Sequence, residues 1–203
     1  MRSVVLLAGA SGSGKSRLAR LVGCPRLALD DFYRDGDEPG LPQTLGIVDW
    51  DDHSSWDAEA ALATMITLCR DGAADVPVYD ISASRRTGWR RLDLGDHRGF
   101  VAEGIFAPEM VRRCRAAGLD VSAIWLDRPR TATMIMRLAR DLTEHRKPPV
   151  VLLRRGLALW RAEPAVRAQA VSAGCRPMAM RGALAVVRAL TRRDGGSGSG
   201  PWR

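Results

Sequence analysis

The chain has 203 residues, 46% of them hydrophobic and 27% charged, with a formal net charge of +8 at pH 7. That length suits one domain with a sizeable core, and that balance excludes a disordered chain. No run approaches the roughly 20 apolar residues that cross a bilayer as a helix, so no membrane span is expected.

Of the 31 basic residues only Lys15 and Lys147 are lysines, and the arginines are scattered with no aromatic-rich stretch beside them. Nucleic acid is therefore not the expected main partner; small phosphorylated ligands account for the charge as well. Cys24, Cys69, Cys114 and Cys175 are far apart with no C-x-x-C pair. Separate thiols in a reducing cytosol fit this better than a disulfide or metal framework, so a cytoplasmic protein is expected.

In chain order, residues 4–8 form the first predicted strand. The opening Met1-Arg2-Ser3 imitates a signal peptide, but the apolar run is too brief and flows straight into a glycine loop. That loop is Gly9-Ala10-Ser11-Gly12-Ser13-Gly14-Lys15-Ser16, followed by a predicted helix over 15–22. G-x-x-x-x-G-K-S between a strand and a helix is the phosphate-cradling arrangement: the glycines permit the turn, and N–H groups and a helix N-terminus face the anion. Lys15 would reach the outer phosphates and the Ser16 hydroxyl would ligate Mg²⁺. A flexible Gly/Ser linker is the rival reading. The strand–loop–helix context and the rare lysine favour binding of ATP or a related triphosphate.

Residues 26–29 form a second predicted strand ending at Asp30-Asp31. A carboxylate there could accept a proton from an attacking hydroxyl or hold Mg²⁺ through water, although a turn aspartate is the plain alternative. Residues 33–52 are a long loop rich in Gly, Pro and Asp, and such loops are usually functional. A helix over 55–70 follows, with Asp52 or Ser54 as candidate cap. Residues 100–102 form a strand ending at Glu103, an acid that would be costly to bury without a partner; Mg²⁺ is one candidate. A helix over 108–117, a strand over 121–126 and helices over 129–144 and 150–169 complete the pattern. Trp125 and Trp160 are expected in the core. Residues 194–203 are Gly/Ser-rich and read as a flexible tail.

Alternating strands and helices imply an α/β fold: a three-layer P-loop NTPase architecture, with a parallel sheet flanked by helices and ligands at the carboxyl ends of the strands. Residues 1–193 would form the domain, with a small lid near 142–150. The chain has no asparagine, which excludes the N-K-x-D guanine signature of GTPases.

Several segments in order resemble the uridine kinase-like group, which includes uridine–cytidine kinases, phosphoribulokinase and bacterial pantothenate kinase. Leu29-Asp30-Asp31-Phe32-Tyr33 is similar to D-x-F-Y, and the segment 50–57 is similar to F-D-H-P-x-A-F-D. Pro77-Val78-Tyr79-Asp80 resembles P-x-Y-D, Glu103-Gly104-Ile105 resembles E-G-I, and 137–141 resembles R-x-x-R-D. The resemblance implies that Asp30 is the catalytic base on a sugar 5′-hydroxyl and that Asp51 holds the ribose hydroxyls. Tyr33 and Tyr79 would line the acceptor pocket, and Glu103 would act near Mg²⁺. Arg137 and Arg140 would clamp phosphate oxygens, with Arg146 and Lys147 in the lid. Arg137 and Arg140, three apart, also suit a plain solvated helix face.

The implied reaction is ATP-dependent phosphorylation of a nucleoside, uridine or cytidine, with ATP and Mg²⁺ as cofactors and a small molecule as partner. The chain departs from the group where a histidine follows P-x-Y-D; here stand Ser82-Ala83-Ser84-Arg85. It also has Thr133 and Met136 where further arginines occur, and Pro148-Pro149 shortens the lid. These departures keep another alcohol acceptor in play: a vitamin precursor, a sugar phosphate or an antibiotic. A nucleotide-binding regulator with little turnover is a further rival, and a homo-oligomer is compatible with all of them.

Overall fold

A computed structural model describes residues 2–44, 47–143 and 149–192, with side chains described for all of these except 137–143 and 149–159. Its centre is a parallel sheet of five strands: β1 (Ser3–Ala8), β2 (Arg26–Ala28), β7 (Gly99–Glu103), β8 (Val121–Leu126) and β9 (Arg176–Met178), in the order β2-β7-β1-β8-β9. Every residue of β1 and β7 is buried. Strands covered on both faces lose the polar–apolar alternation of a half-exposed sheet, which is why they read as short apolar runs.

The two faces carry separate apolar clusters. Val5, Leu7, Val101, Ile124 and Leu126 pack under α1 (Lys15–Val22) and α6 (Met180–Thr191). Val4, Leu6, Phe100 and Ala102 pack with residues of α2 (Ala58–Asp71) and α3 (Ala107–Ala116). This gives the three layers expected. Helices α4 (Arg130–Thr143) and α5 (Pro149–Ser172) pack against each other beyond β8.

Two small antiparallel ribbons stand apart from the main sheet. One is β3 (Gln43–Thr44) with β4 (Ile47–Val48). The other is β5 (Ala73–Asp80) with β6 (Arg85–Asp93), bulged between Val78 and Tyr79. The second strand of the main sheet ends at Ala28 rather than 29, because Leu29–Phe32 tightens into a 3₁₀ turn. Helix α2 begins at Ala58 and is capped by Asp57, whose carboxylate accepts from the Ala60 N–H. The expected caps fail for a local reason: Asp52 accepts from Ser54 and so starts the short 3₁₀ turn His53–Ser55 instead. Residues 194–203, expected as a tail, lie outside the described residues. Among the described residues no helix is long and apolar enough to cross a membrane.

Candidate active site

The loop Gly9–Ser16 occupies the carboxyl edge of β1, where backbone geometry admits few residues other than glycine. Gly12 and Gly14 have φ of 86° and 94°, a left-handed region that L side chains rarely adopt. A Cβ at Gly9 would lie 2.8 Å from Ser13 Oγ and 3.2 Å from the Leu126 carbonyl. Within the loop the Ser13 N–H donates to the Ala10 carbonyl at 3.0 Å. Lys15 opens α1 and curls back, its Nζ donating to the carbonyls of Gly9 at 2.8 Å and Ala10 at 3.3 Å. Those bonds hold the ammonium over the loop, where a phosphate on the loop would meet it. Ser11 sits at the loop's crest, half-buried, and Ser13 is fully enclosed.

Strands β1 and β7 are neighbours, with Leu7 opposite Glu103. Glu103 faces the α1 side of the sheet, as Val101 does, and is 7% exposed. Its Oε1 accepts from Ser16 Oγ at 2.8 Å and from Arg26 Nη1 at 2.7 Å. The two residues expected to hold Mg²⁺ therefore meet at one point. The partner that a buried Glu103 was expected to need is supplied within the chain by Arg26 and Ser16. A hydroxyl and a carboxylate are hard oxygen donors, few in number, and Mg²⁺ suits such a set because it keeps waters and phosphate oxygens as its other ligands. Among the described residues no group of three or more His, Cys, Asp or Glu side chains could hold a metal by itself.

Asp30 lies in the 3₁₀ turn after β2, on the same edge. Its Oδ1 is buried without a hydrogen-bond partner among the described residues. Burial first, and then the negative charge of Glu103, push its carboxyl above the usual range, while Lys15 and the Ile105 N–H pull the other way. A carboxylate so placed has one oxygen free to accept and is more basic than an exposed one, which suits a proton acceptor. Gly104 makes room for it: a Cβ there would lie 2.8 Å from Asp30 Oδ1 and 2.8 Å from Leu29 Cβ.

Beyond Asp30 stands an aromatic wall. Tyr33 meets Trp50 edge-on with ring centroids 5.4 Å apart, and its ring lies 5.8 Å from that of Tyr79. The Tyr33 hydroxyl donates to the Trp50 carbonyl at 3.0 Å, and the Tyr79 hydroxyl to the Arg34 carbonyl at 3.0 Å. Burial pushes the Tyr79 phenol up to about 12 and moves Tyr33 in the same direction, so both stay protonated donors. The segment 50–57 is tied to the Asp30 turn: Trp56 Nε1 donates to the Leu29 carbonyl at 2.6 Å, and the Asp57 N–H to that of Phe32 at 2.9 Å. Asp51 is brought near Tyr33, whose phenol feels its charge, but it is exposed and its backbone N–H donates to Asp49.

Arg137 and Arg140 lie in α4, but their side chains are outside the described residues, as are Arg146, Lys147 and the centre of the expected lid. Thr133, where the resemblance would place an arginine, is 1% exposed and donates to the Arg130 carbonyl. Trp125 is in the core as expected. Trp160 is only partly buried, with the Arg130 guanidinium 4.5 Å over its ring. Met180, at the start of α6, approaches the loop closely enough that a Cβ on Gly14 would lie 3.1 Å from its terminal methyl.

Arg26 and the β5–β6 ribbon were missed by sequence reasoning, as was the room that Gly104, read only as part of E-G-I, leaves for Asp30. Arg26 begins a strand that read as ordinary, and nothing in its neighbours marks it as the partner of an acid 77 residues away.

No protein-family profile matches the chain. The uridine kinase of Shewanella pealeana is 26% identical over 152 residues, covering 70% of this chain and 70% of that protein. The uridine kinase of Ureaplasma parvum serovar 3 is 25% identical over 152 residues, covering 71% of each. Among solved structures, one described as a fructose transport system kinase from a Silicibacter species aligns with a TM-score of 0.56 at 22% identity, covering 81% of this chain and 85% of that one. That alignment shows the fold, and the uridine kinase matches cover about 70% of the chain. The chain is thus an ATP-dependent phosphotransferase related to the uridine kinases and built on the P-loop kinase fold.

Proposed function

We propose that the chain transfers the γ-phosphoryl group of ATP to an alcohol of a small molecule, with the 5′-hydroxyl of uridine or cytidine as acceptor. The observation that carries the reading is Asp30 Oδ1, buried and unpaired at the strand edge shared with Lys15 and Glu103. Gly9–Ser16 cradles the triphosphate, and Lys15 leaves the Gly9 and Ala10 carbonyls for the outer phosphate oxygens. Ser16 and Glu103 hold Mg²⁺, which neutralises charge on the phosphates when bound. Asp30 takes the proton of the acceptor hydroxyl as the new P–O bond forms and the bond from the γ-phosphorus to the β–γ bridging oxygen breaks, releasing ADP. Tyr33 and Tyr79 wall the acceptor, Asp51 holds its vicinal hydroxyls, and Arg137 and Arg140 clamp the phosphate oxygens. Residues 1–193 act as one kinase domain, with 142–150 as its lid.

One observation favours a second reading, in which the alcohol is not a nucleoside. The turn after β5 is closed on itself: the Asp80 carboxylate accepts from the Ser82 N–H, the Ser82 hydroxyl and the Ala83 N–H. It offers no imidazole where the resemblance would place one. The test is ADP release with a panel of nucleosides and then of other alcohols, with Asp30→Ala as control. Stimulation by uridine or cytidine supports the first reading, and stimulation only by another alcohol supports the second. Turnover that survives Asp30→Ala sinks both.

A further inference from the structure

The acid at the end of β7 has a partner that the reaction does not call for. Arg26 opens β2 and pairs with Val101, two residues before Glu103 and on the same sheet face. Its side chain therefore runs along the sheet to the carboxylate. Its Nη1 and the Ser16 hydroxyl converge on a single oxygen, Oε1. That oxygen and that hydroxyl are the donors Mg²⁺ would take. Burial raises the neighbouring Asp31 carboxyl, Arg90 and to a smaller degree Arg26 oppose that rise, and Glu103 adds to it. Among the cations at this edge, Lys15 acts on Asp30 and Arg90 on Asp31, and Arg26 is the one paired directly with Glu103. The exposures are unequal: the Arg26 side chain is 42% exposed and that of Glu103 is 8%. Arg26 can swing out into water, whereas Glu103 cannot follow it.

We propose that Arg26 is a resident counter-cation of the metal site, holding Glu103 in place before the metal–nucleotide complex arrives and competing with the divalent cation for Oε1. The inference rests on the reading in which Ser16 and Glu103 hold Mg²⁺. A buried carboxylate with no counter-charge is costly, so an acid kept ready for a metal needs a substitute cation between turnovers. The substitute in turn weakens metal binding, because the ion has to displace it or sit beside it. Ion pairs with one half-exposed member are modest, so the competition is worth about fivefold in metal affinity.

The test uses the full chain with a non-hydrolysable ATP analogue and Mn²⁺ as probe, reading free Mn²⁺ by electron paramagnetic resonance. Arg26→Gln is expected to tighten Mn²⁺ binding about fivefold, and Arg26→Lys to stay near the parent because it keeps the charge. Glu103→Gln is expected to weaken binding whether or not Arg26 is present. A second readout is the melting temperature: without metal, Arg26→Gln melts below the parent, and Mn²⁺ with the analogue raises it by more than it raises the parent. If Glu103→Gln weakens Mn²⁺ binding while Arg26→Gln leaves it unchanged or weaker, the metal site stands and the competition is refuted. If Glu103→Gln leaves Mn²⁺ binding unchanged, the metal reading falls and the role of Arg26 falls with it.

Discussion

Replacing Gly104 by alanine tests the placement of the proposed base through space alone. Gly104 has no left-handed φ, so alanine meets no backbone strain there. Its Cβ would lie 2.8 Å from both Asp30 Oδ1 and Leu29 Cβ, where ordinary contact begins at 3.4 Å, so about 0.6 Å of room has to be found. The Asp30 carboxylate can rotate, but Leu29 Cβ is fixed to the backbone of a 3₁₀ turn whose leucine is 0% exposed. The turn that carries Asp30 therefore has to move. Overpacking of this kind costs about 1–3 kcal/mol. Displacing a reacting group by ~1 Å costs on the order of a hundredfold in rate, so a shift of half that predicts a fall in kcat of roughly tenfold. The KM for ATP should hold, because the phosphate loop hangs from β1 and not from the altered junction. Steady-state ADP release and urea unfolding of the same preparation read both effects. A kcat within twofold of the parent, with an unchanged unfolding midpoint, would refute the packing argument and the role it gives Asp30.

Three further outcomes follow from the site. Asp30→Asn should abolish turnover yet stabilise the fold: a carboxyl raised in the folded state contributes stability below its unfolded pKa and loses it as pH rises through the folded value. The variant's advantage in urea midpoint should thus widen between about pH 4 and pH 8; an advantage that shrinks with pH would contradict the assignment of burial as cause. Ser13→Ala removes a fully buried hydroxyl that has no hydrogen-bond partner among the described residues. It should leave stability unchanged or raise it by up to ~1 kcal/mol, and a loss above that in thermal unfolding would show the hydroxyl to be bonded. Lys15→Met should raise the Kd for ATP at least about tenfold by calorimetry while the melting temperature stays near the parent's, since it removes one charge-assisted phosphate contact.

What could be read in the sequence depended on how local each signal is. The loop, β1 and α1 were legible because G-x-x-x-x-G-K-S fixes geometry within eight residues. The buried strands were legible because short apolar runs bounded by Gly, Asp and Pro leave few alternatives. Asp30 and Glu103 were legible by position, as the polar residues where those runs stop. The β5–β6 ribbon was not, since Pro77 and Gly88 interrupt its pattern and Arg85, Arg86, Arg90 and Arg91 show no alternation of polarity. Pro77 is tolerated because a two-stranded ribbon consists only of edges. Helix α6 was missed behind the short strand β9, whose three residues make no pattern of their own. The Arg26–Glu103 pair was beyond reach because it depends on the register between β2 and β7, which only the assembled sheet defines.

The main sheet and the β5–β6 ribbon share no hydrogen-bonded strand. The glycine loop and Glu103 are rooted in the sheet, while Tyr79 and the turn beside it are rooted in the ribbon. The two supports can therefore diverge at different speeds over evolutionary time. Insertions, turn replacements or a changed register in the ribbon would alter which alcohol is accepted without disturbing the phosphoryl donor. An engineer seeking a new acceptor could graft a ribbon between residues 72 and 94 and keep the rest of the chain as inherited.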